Sequence, residues 1–455
     1  MSMLKNDLLS DFSNQIKMLC FEDTQTELHF QVALSGGLDS MVLLHLFARL
    51  REQVASVQVC AHHIHHGLSD NAGDWRDFCQ QACAALNIDF TCTHVNLQKK
   101  TRTSLEGLAR EKRYASLVGA MSDNSYLVSA HHQDDQLETV LLALKRGSGN
   151  TGLQGIRSKQ ALTTGYLIRP LLNFSRAQLE KYACHYQLKW IEDESNTDQS
   201  FDRNFIRHTI TPLLKNRWPA IARTVSRSAS ICQEQQQLLN EVAELDFSLC
   251  VYDPDDITVV NINALKSLST ARVNNVLRYW FKLNNLQYPS VKQLLSLWCD
   301  VVLATDNATP KIPFEGLMLR RYRECLYLVE EHSNIILGNP VVWQGQSKMS
   351  LLGGTINLNF SLSNENNHGL KISQNSLVEI YFRTQFSAKL TCTPIGRNGS
   401  RSIKKLLHEY NIPPWRRDTI PFVFINGELK QAVGLWLCET QPVDNGELFL
   451  TVSFD

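Results

Sequence analysis

The 455-residue chain has no excess of either charge: Lys plus Arg and Asp plus Glu number 45 each. A nucleic-acid or membrane-surface partner therefore cannot be read from the total and must come from local clustering. No apolar run reaches transmembrane length. In the opening stretch, MSMLKNDLLSDFSNQIKMLCFEDTQTELHF, acids and amides interrupt every apolar segment, which a secretory signal would not tolerate. Twelve cysteines are present, yet none form the C-x-x-C pairs of zinc, iron–sulfur or dithiol sites. The closest pair, Cys79 and Cys83, has helical spacing and reads as packing. Reduced thiols, a cytoplasmic location and no membrane are the expectations. Internal repeats and low-complexity segments are absent as well.

The length favours two or three domains. From Glu27 to Trp190, short β-rich runs alternate with helical periods, the pattern of an α/β domain with a mostly parallel sheet flanked by helices. Strands are predicted at His29–Leu34, Ser56–Ala61, Phe90–Val95 and Tyr126–Ser129, and helices at Ser40–Leu50, Asn71–Leu86, Leu105–Met121 and Asp135–Lys145. Ser69 is a candidate N-cap, and Thr103 with Glu106 a candidate capping box. Beyond Asn204 the texture turns helical, over Ala220–Leu249 and Ala264–Leu303, with Val251–Asp256 read as a linker or turn. From Pro310 onward the signals are strand-like, with a polar turn at Arg397–Ser400. The expected domains are a catalytic domain at 1–215, a mainly helical one at 216–335 and a small β-rich one at 336–455.

VALSGGLDSMVLLHL, residues Val32 to Leu46, sets an apolar strand, a small polar loop and an apolar helix in succession. A phosphate needs convergent N–H donors, a positive helix end and side chains small enough for main chain to approach it, and this junction offers all three. A plain glycine turn is the alternative for an isolated Gly-Gly. The Walker pattern G-x-x-x-x-G-K-S/T does not occur. Gly147 to Gly152 fits G-x-G-x-x-G but follows a helix rather than a strand, the wrong setting for a dinucleotide fold.

S-G-G-L-D-S (Ser35–Ser40) resembles the phosphate loop of the N-type ATP pyrophosphatases, the PP-loop superfamily, whose members split ATP into AMP and pyrophosphate. Further stretches are similar to the tRNA(Ile)-lysidine synthase family: HHIHHGLSDNAGDW (His62–Trp75), EGLAREKRY (Glu106–Tyr114), AHHQDDQLETVLLALKRGSG (Ala130–Gly149), IRPLL (Ile168–Leu172) and IEDESNTDQSFDRNFIR (Ile191–Arg207). IPPWRRDTIPFVFINGELKQAVGLW resembles that family's C-terminal module. The resemblance implies a PP-loop fold, ATP as substrate, and adenylylation of C2 oxygen on the wobble cytidine of an isoleucine tRNA with anticodon CAU. L-lysine then displaces AMP.

The chemistry of each cluster suits such a reaction. Ser35, Gly36, Gly37, Leu38, Asp39 and Ser40 would seat the ATP phosphates. His62 and His65, in a strand where neighbouring side chains face opposite ways, would lie beside the adenosine rather than ligate a metal with His63 and His66. Asp39, Asp134 and Asp135 would repel a triphosphate unless a divalent cation sat between, so Mg²⁺ is implied; helix capping is the bland role for one of the last two. Glu106, Arg110 and Arg113 share one helix face, where a solvated ladder is the ordinary explanation. With Glu138, Arg203, Asn204 and Arg207 they make a set suited to a zwitterion, arginine for carboxylate and acid for ammonium, and the resemblance makes that zwitterion lysine. Asp39, Asp135, Glu138 and Arg203 are the catalytic candidates. The lysine amine, with a free pKa near ~10.4, must lose a proton, to Glu138 or Asp135. Arg146 is a candidate for the leaving pyrophosphate.

Between Arg383 and Lys430 bases outnumber acids, so the neutral total hides a basic module. Lys389, Arg397, Arg401, Lys404, Lys405, Arg416 and Arg417 are candidate tRNA contacts, with Trp415 and Tyr410 as stacking groups. Arg223, Arg227, Arg272 and Arg278 could grip the stem similarly. The competing readings are another PP-loop tRNA-modifying enzyme such as a 2-thiolase, a metal-dependent phosphoesterase, or an RNA-binding protein with an inactive nucleotide site. Oligomeric state is not legible, a homodimer being one candidate.

Overall fold

The computed structural model describes residues 7–20, 27–65, 67, 71–95, 105–192, 194–305, 308, 310–330, 339–363, 369–373, 376–387, 389–438 and 448–455, with the side chains of residues 7, 105–111, 195, 196 and 353 outside that description. The chain divides into two compact units, Met1–Val242 and Ala243–Asp455. Among the described residues no helix is long and apolar enough to cross a membrane.

The first unit opens with α1 (Asp7–Leu19) and continues β1 (Leu28–Ala33), α2 (Leu38–Gln53), β2 (Val57–His65), α3 (Ala72–Ala85), β3 (Asp89–His94), α4 (Leu105–Gly119), β4 (Ser125–Val128) and α5 (Gln133–Lys145). A single helical turn, α6 (Asn150–Leu153), precedes β5 (Lys159–Ala161), β6 (Gly165–Ile168) and α7 (Arg176–His185). The sheet runs β3-β2-β1-β4-β6-β5. All pairs are parallel except β5 with β6. Successive residues Phe30, Gln31 and Val32 of β1 are all buried, as expected of a strand covered on both faces. Helix α2 buries Met41, Val42, Leu43, Leu44, Leu46 and Phe47 in near-continuous order, so it is a core helix rather than an amphipathic surface one. Phe12 of α1 meets Phe47 edge-on at 5.2 Å.

The four predicted strands and helices of this region are all present with boundaries shifted by a few residues. Helices α1 and α7 and the β5–β6 hairpin go beyond them. Ser69 and Thr103 lie outside the described residues. The G-x-G-x-x-G match has a local explanation: Ser148 N–H bonds to Ala143 O and Gly147 N–H to Leu144 O, and Gly147 has φ +65°. That is a Schellman stop, in which glycine takes the left-handed position that ends α5.

Past α8 (Asp202–Phe205) and α9 (Thr211–Arg217), α10 runs Ile221–Cys250. In the second unit β7 (Val251–Asp253) and β8 (Asp256–Asn261) form a hairpin whose turn falls in the segment read from sequence as a linker or turn. Three helices follow, α11 (Ile262–Lys266), α12 (Thr270–Leu283) and α13 (Val291–Ser296), then β9 (Lys311–Phe314), β10 (Leu317–Tyr322) and β11 (Cys325–Glu330). The sheet order is β7-β8-β11-β10-β9, so the helices of this mainly helical module pack on a sheet. Its core centres on Trp280 and Phe281, and the Trp280 indole donates to Ile257 O at 2.7 Å.

The C-terminal module is β-rich as expected. It comprises β12 (Val341–Val342), β13 (Lys348–Leu351), β14 (Ile356–Ser363), β15 (Leu370–Ile372), β16 (Val378–Tyr381), β17 (Thr391–Cys392), β18 (Arg401–Ser402), α14 (Ile403–Glu409), β19 (Phe422–Ile425), β20 (Glu428–Ala432), β21 (Trp436–Leu437) and β22 (Leu448–Phe454). Two antiparallel sheets, β12-β16-β19-β20-β21 and β13-β14-β22-β15, share an apolar core of Leu358, Ile380, Val423 and Leu450. All twelve cysteines are free thiols. Burial raises Cys79 and Cys83 to about 12, the behaviour of inert packing groups.

Candidate nucleotide site at the switch point of the sheet

Connections from β1 lead first to β2 and β3 on one side, and the chain then crosses to place β4 on the other. The strand order reverses between β1 and β4. In an open parallel sheet that reversal opens a crevice at the carboxyl ends of the two strands, where ligands bind. The two segments emerging there are Leu34–Gly37 and Ser129–His132, the two that the sequence singles out.

The loop after β1 is built to leave main chain free. Gly36 has φ +87°, and a Cβ there would lie 3.1 Å from Cys79 Sγ and 3.2 Å from Ile191 Cδ1. Glycine is required on both counts. Ser40 Oγ donates to Gly37 O at 2.9 Å and accepts from Gly36 N–H at 3.1 Å, while Ile191 N–H bonds Gly36 O at 2.9 Å. Ser35 Oγ donates to Ser40 Oγ at 3.1 Å. These bonds fix the loop, yet the N-cap of α2 is Gly37, with no side-chain cap. The first-turn amides of α2, at Leu38 to Ser40, thus open a positive helix end without a side chain filling it.

Across the crevice, His132 caps α5. Its Nδ1 accepts from Asp134 N–H at 3.2 Å, and its own N–H donates to Asp135 Oδ2 at 3.0 Å, a capping box. The acceptor role of Nδ1 leaves the ring proton on Nε2, which lies 3.6 Å from Asp39 Oδ2 and 3.5 Å from Asp135 Oδ2. Burial alone would lower the His132 pKa, but Asp135, Asp39 and Asp134 raise it. The capping role foreseen for one of the two aspartates falls to Asp135.

Asp39 Oδ2 accepts from Arg176 Nη1 at 2.6 Å. Asp134 Oδ2 accepts from Arg176 N–H at 3.2 Å and pairs with Lys215 Nζ at 2.8 Å. The second oxygens, Asp39 Oδ1 and Asp134 Oδ1, are buried with no hydrogen-bond partner among the described residues. Orphan anionic oxygens of this kind carry a desolvation penalty that a divalent cation relieves. Mg²⁺ in nucleotide sites needs one or two carboxylates plus phosphate oxygens, which these two residues can supply. No cluster of three or more His, Cys, Asp and Glu able to hold a metal occurs among the described residues. Asp135, the third expected metal ligand, has both oxygens in hydrogen bonds, Oδ2 with the His132 main-chain N–H and Oδ1 with Arg203 Nη2 at 3.1 Å and Arg207 Nη2 at 3.0 Å.

Those arginines continue to Glu138, which is 1 % exposed. Arg203 Nε reaches Oε2 at 3.0 Å, and Arg207 Nε reaches Oε1 at 2.7 Å. Burial would raise the Asp135 carboxyl, but His132, His131 and Arg203 hold it well below the usual range. For Arg207 burial lowers the pKa and the bond to Glu138 more than offsets it. The sequence-predicted members Asp135, Glu138, Arg203 and Arg207 therefore form one connected network. Arg110 and Glu106 lie outside the described side chains. Arg113 sits over the Tyr114 ring at 5.7 Å. Arg146 lies at the far end of α5, about 18 Å from Asp134 along the helix at 1.5 Å per residue.

In β2, His62 is 1 % exposed, bonds Thr93 Oγ1 through Nε2 at 2.9 Å and leaves Nδ1 without a partner. His63 donates through Nδ1 to Leu34 O at 2.9 Å, bracing the Leu34–Gly37 loop from behind. His65 stacks obliquely on His94 at 4.4 Å, and His66 lies outside the described residues. Sequence reasoning missed Arg176 and Lys215. Arg176 had a signal, since Ser175-Arg-Ala-Gln178 is a capping box that announces a helix start; Lys215 had none.

In the second unit, Lys404 and Lys405 are exposed on α14, and Lys389 is exposed nearby in sequence. Arg397 and Arg401 share Glu409, at 2.7 and 2.6 Å. Trp415, the expected stacking group, is set among ring and guanidinium contacts. Tyr327 and Tyr322 meet its ring edge-on at 5.4 and 6.2 Å, and Arg320 lies over it at 5.1 Å. Arg416 pairs with Asp256 at 2.9 Å, and Arg417 donates to Ile412 O at 3.0 Å. Trp415 and Arg416 thereby join the C-terminal module to the β7–β11 sheet. Arg272 forks onto the fully buried Asp246.

Residues 8–214 match the family model of the PP-loop domain, residues 261–327 that of the TilS substrate binding domain, and residues 378–452 that of the TilS substrate C-terminal domain. The tRNA(Ile)-lysidine synthase of Photobacterium profundum is 39% identical over 411 residues, covering 90% of this chain and 92% of that protein. That of Serratia proteamaculans is 38% identical over 437 residues, covering 96% and 97%. That of Coxiella burnetii is 37% identical over 427 residues, covering 93% and 92%. With matches that span nearly the full length on both sides, the chain belongs to the tRNA(Ile)-lysidine synthase family.

Proposed function

We propose that the chain ligates free L-lysine to C2 of the wobble cytidine in an isoleucine tRNA with anticodon CAU, consuming ATP and releasing AMP and pyrophosphate. The tRNA then reads AUA as isoleucine. The observation that carries this reading is the convergence at one switch point of an uncapped helix end, two orphan carboxylate oxygens and a four-member arginine–carboxylate network, in a chain of this family.

The Ser35–Ser40 main chain seats the phosphates, with His62 and His65 on the adenosine side. Asp39 and Asp134 would hold Mg²⁺, which supplies positive charge between the carboxylates and the triphosphate. The cytidine C2 oxygen attacks the α-phosphorus, the α–β P–O bond breaks, and its electron pair leaves with pyrophosphate. Lysine's ε-amine then attacks C2 and AMP departs. In this reading Glu138 or Asp135 takes the proton that the amine must shed, and the lysine carboxylate is held by arginines drawn from Arg203, Arg207, Arg113 and Arg110. Arg203 also screens the charge that builds on the transferring phosphoryl group.

This reading has three working modules: catalysis at 1–215, a mainly helical tRNA-binding module at 216–335 and tRNA recognition at 336–455. In the last, Lys389, Arg397, Arg401, Lys404 and Lys405 meet phosphates. The test is incubation with ATP, labelled lysine and unmodified CAU tRNA. Label should enter RNA with one pyrophosphate per lysine. Metal-dependent phosphate release from simple esters, with unlabelled RNA, would replace this reading with a hydrolase.

A further inference from the structure

We propose that Arg176 is a pyrophosphate-binding residue, which exchanges its Asp39 partner for the departing β- and γ-phosphates. The inference rests on the nucleotide reading of the switch-point crevice given above.

Arg176 is the first residue of α7 and is fixed from two sides. Ser175 caps the helix in a reciprocal box with Gln178, and the Arg176 main-chain N–H bonds Asp134 Oδ2 at 3.2 Å. From that anchor the side chain reaches Asp39 Oδ2 through Nη1 at 2.6 Å and Glu180 Oε1 through Nε at 3.1 Å. One residue thus touches both aspartates that retain an unpartnered buried oxygen.

The other cations of the crevice are less free to change partners. Arg203 and Arg207 are each tied to both Asp135 and Glu138, whose side chains are 10% and 2% exposed. Lys215 is held by Asp134, 8% exposed. Arg176 is 37% exposed and its Asp39 partner 25%, the most open pair of the four. Asp39 also sits in the first turn of α2, beside the amides that form the phosphate seat. A guanidinium can meet phosphate oxygens with two parallel N–H bonds, whereas here Asp39 receives a single one. A phosphate chain entering beside Asp39 therefore competes for Arg176 on favourable terms. Asp39 is then released to offer its oxygens to the cation that accompanies the nucleotide. When the α–β P–O bond breaks, the bonding pair stays on pyrophosphate, and Arg176 meets that added charge without a proton transfer.

Titration calorimetry of inorganic pyrophosphate into the full chain with Mg²⁺ tests the proposal, using Arg176→Met and Arg176→Lys beside the unaltered protein. Loss of the charged fork should weaken pyrophosphate by about 10- to 100-fold in Arg176→Met, and lysine should restore part of that loss. AMP affinity should change by less than about threefold, because AMP lacks the two phosphates at issue. The contact to Asp134 is made by main chain and survives either substitution, so both variants should melt close to the parent. Arg176→Lys keeps the charge at the helix start and supplies the measurement if Arg176→Met fails to fold; pyrophosphate affinity equal to the parent's in it would overturn the fork. Unchanged affinity in a folded Arg176→Met, or equal weakening of AMP and pyrophosphate, would overturn the proposal while leaving the nucleotide reading in place. A parent chain that binds neither ATP nor pyrophosphate would overturn both.

Discussion

Arg207 closes a two-pronged pair on Glu138, Nε to Oε1 at 2.7 Å and Nη2 to Oε2 at 2.9 Å, around a carboxylate that is 1 % exposed. Removing that charge strands two arginines in a part-buried site. Glu138→Gln should cost about 1–3 kcal/mol of stability, below the range for a fully buried pair because both arginines reach solvent. It should lower lysine transfer on the order of 10²-fold, with tRNA binding in a filter assay unchanged. Lysine transfer at the parental rate would remove Glu138 from the chemistry.

Asp39→Asn keeps the shape of the loop and removes the charge that Arg176 and a metal ion would share. Adenylylation should be abolished, and tRNA retention on filters should stay near normal. A loss of tRNA binding equal to the loss of adenylylation would show that the phosphate loop and the RNA surface are not separate determinants. The Mg²⁺ concentration for half-maximal ATP binding should rise at least about tenfold, one coordinating charge being lost.

Gly36→Ala meets a double obstacle, a left-handed backbone and two contacts at 3.1 and 3.2 Å. The conformational cost is about 1–2 kcal/mol before crowding is added. Thermal melting should fall by several degrees and ATP affinity with it, because Ile191 and Cys79 can relieve the clash only by shifting the loop. A variant that melts and binds ATP like the parent would show the loop to be more plastic than its contacts suggest.

Acid should loosen the first unit through three imidazoles. Burial lowers the pKa of His45, helped by Arg49, and likewise those of His62 and His63. In the unfolded chain these groups titrate near 6.5, so below that pH the unfolded state binds more protons. The stability held above about pH 6.5 is then lost as pH falls toward the lowered folded values. His132, raised by its carboxylate neighbours, works in the opposite sense, its contribution fading as pH climbs. His45→Gln should flatten the fall in melting temperature between about pH 7 and 5; an unaltered slope would assign the effect to other groups.

Neutralising Lys404 and Lys405, both exposed on α14, should weaken tRNA binding and reduce its salt slope by about one to two units. Trp415→Ala should instead destabilise the second unit by about 3 kcal/mol, in the range of large aromatic truncations, at a salt slope close to the parent's. Equal salt slopes in the lysine variant and the parent would place the phosphate contacts elsewhere.

Much of the site was legible because its chemistry is local. A strand, two glycines and a helix fit into Val32–Leu46, and the aspartates follow the strand at Ser125–Val128 directly. Strand order was not legible, since β4 lies beside β1 rather than β3 only through long-range packing. The pairing of Arg176 with Asp39 spans 137 positions, and nothing local marks it. The setting of Trp415 was equally out of reach, because the tyrosines that enclose it, Tyr322 and Tyr327, come from the β10 and β11 strands about 90 positions earlier in the chain. The segment Val251–Asp256 reads as a linker or turn because it is short and acid-rich; the turn is there, and what the sequence did not show is the strand pairing of Val251 with Val260 across it.

The seating of Trp415 between those tyrosines, backed by the Arg416–Asp256 ion pair, also bears on selectivity. It welds two modules into a single gauge, so the separation between any RNA contacts they carry is set by that joint. Partner choice could then drift through changes at that joint while every basic side chain on the surface stayed where it was.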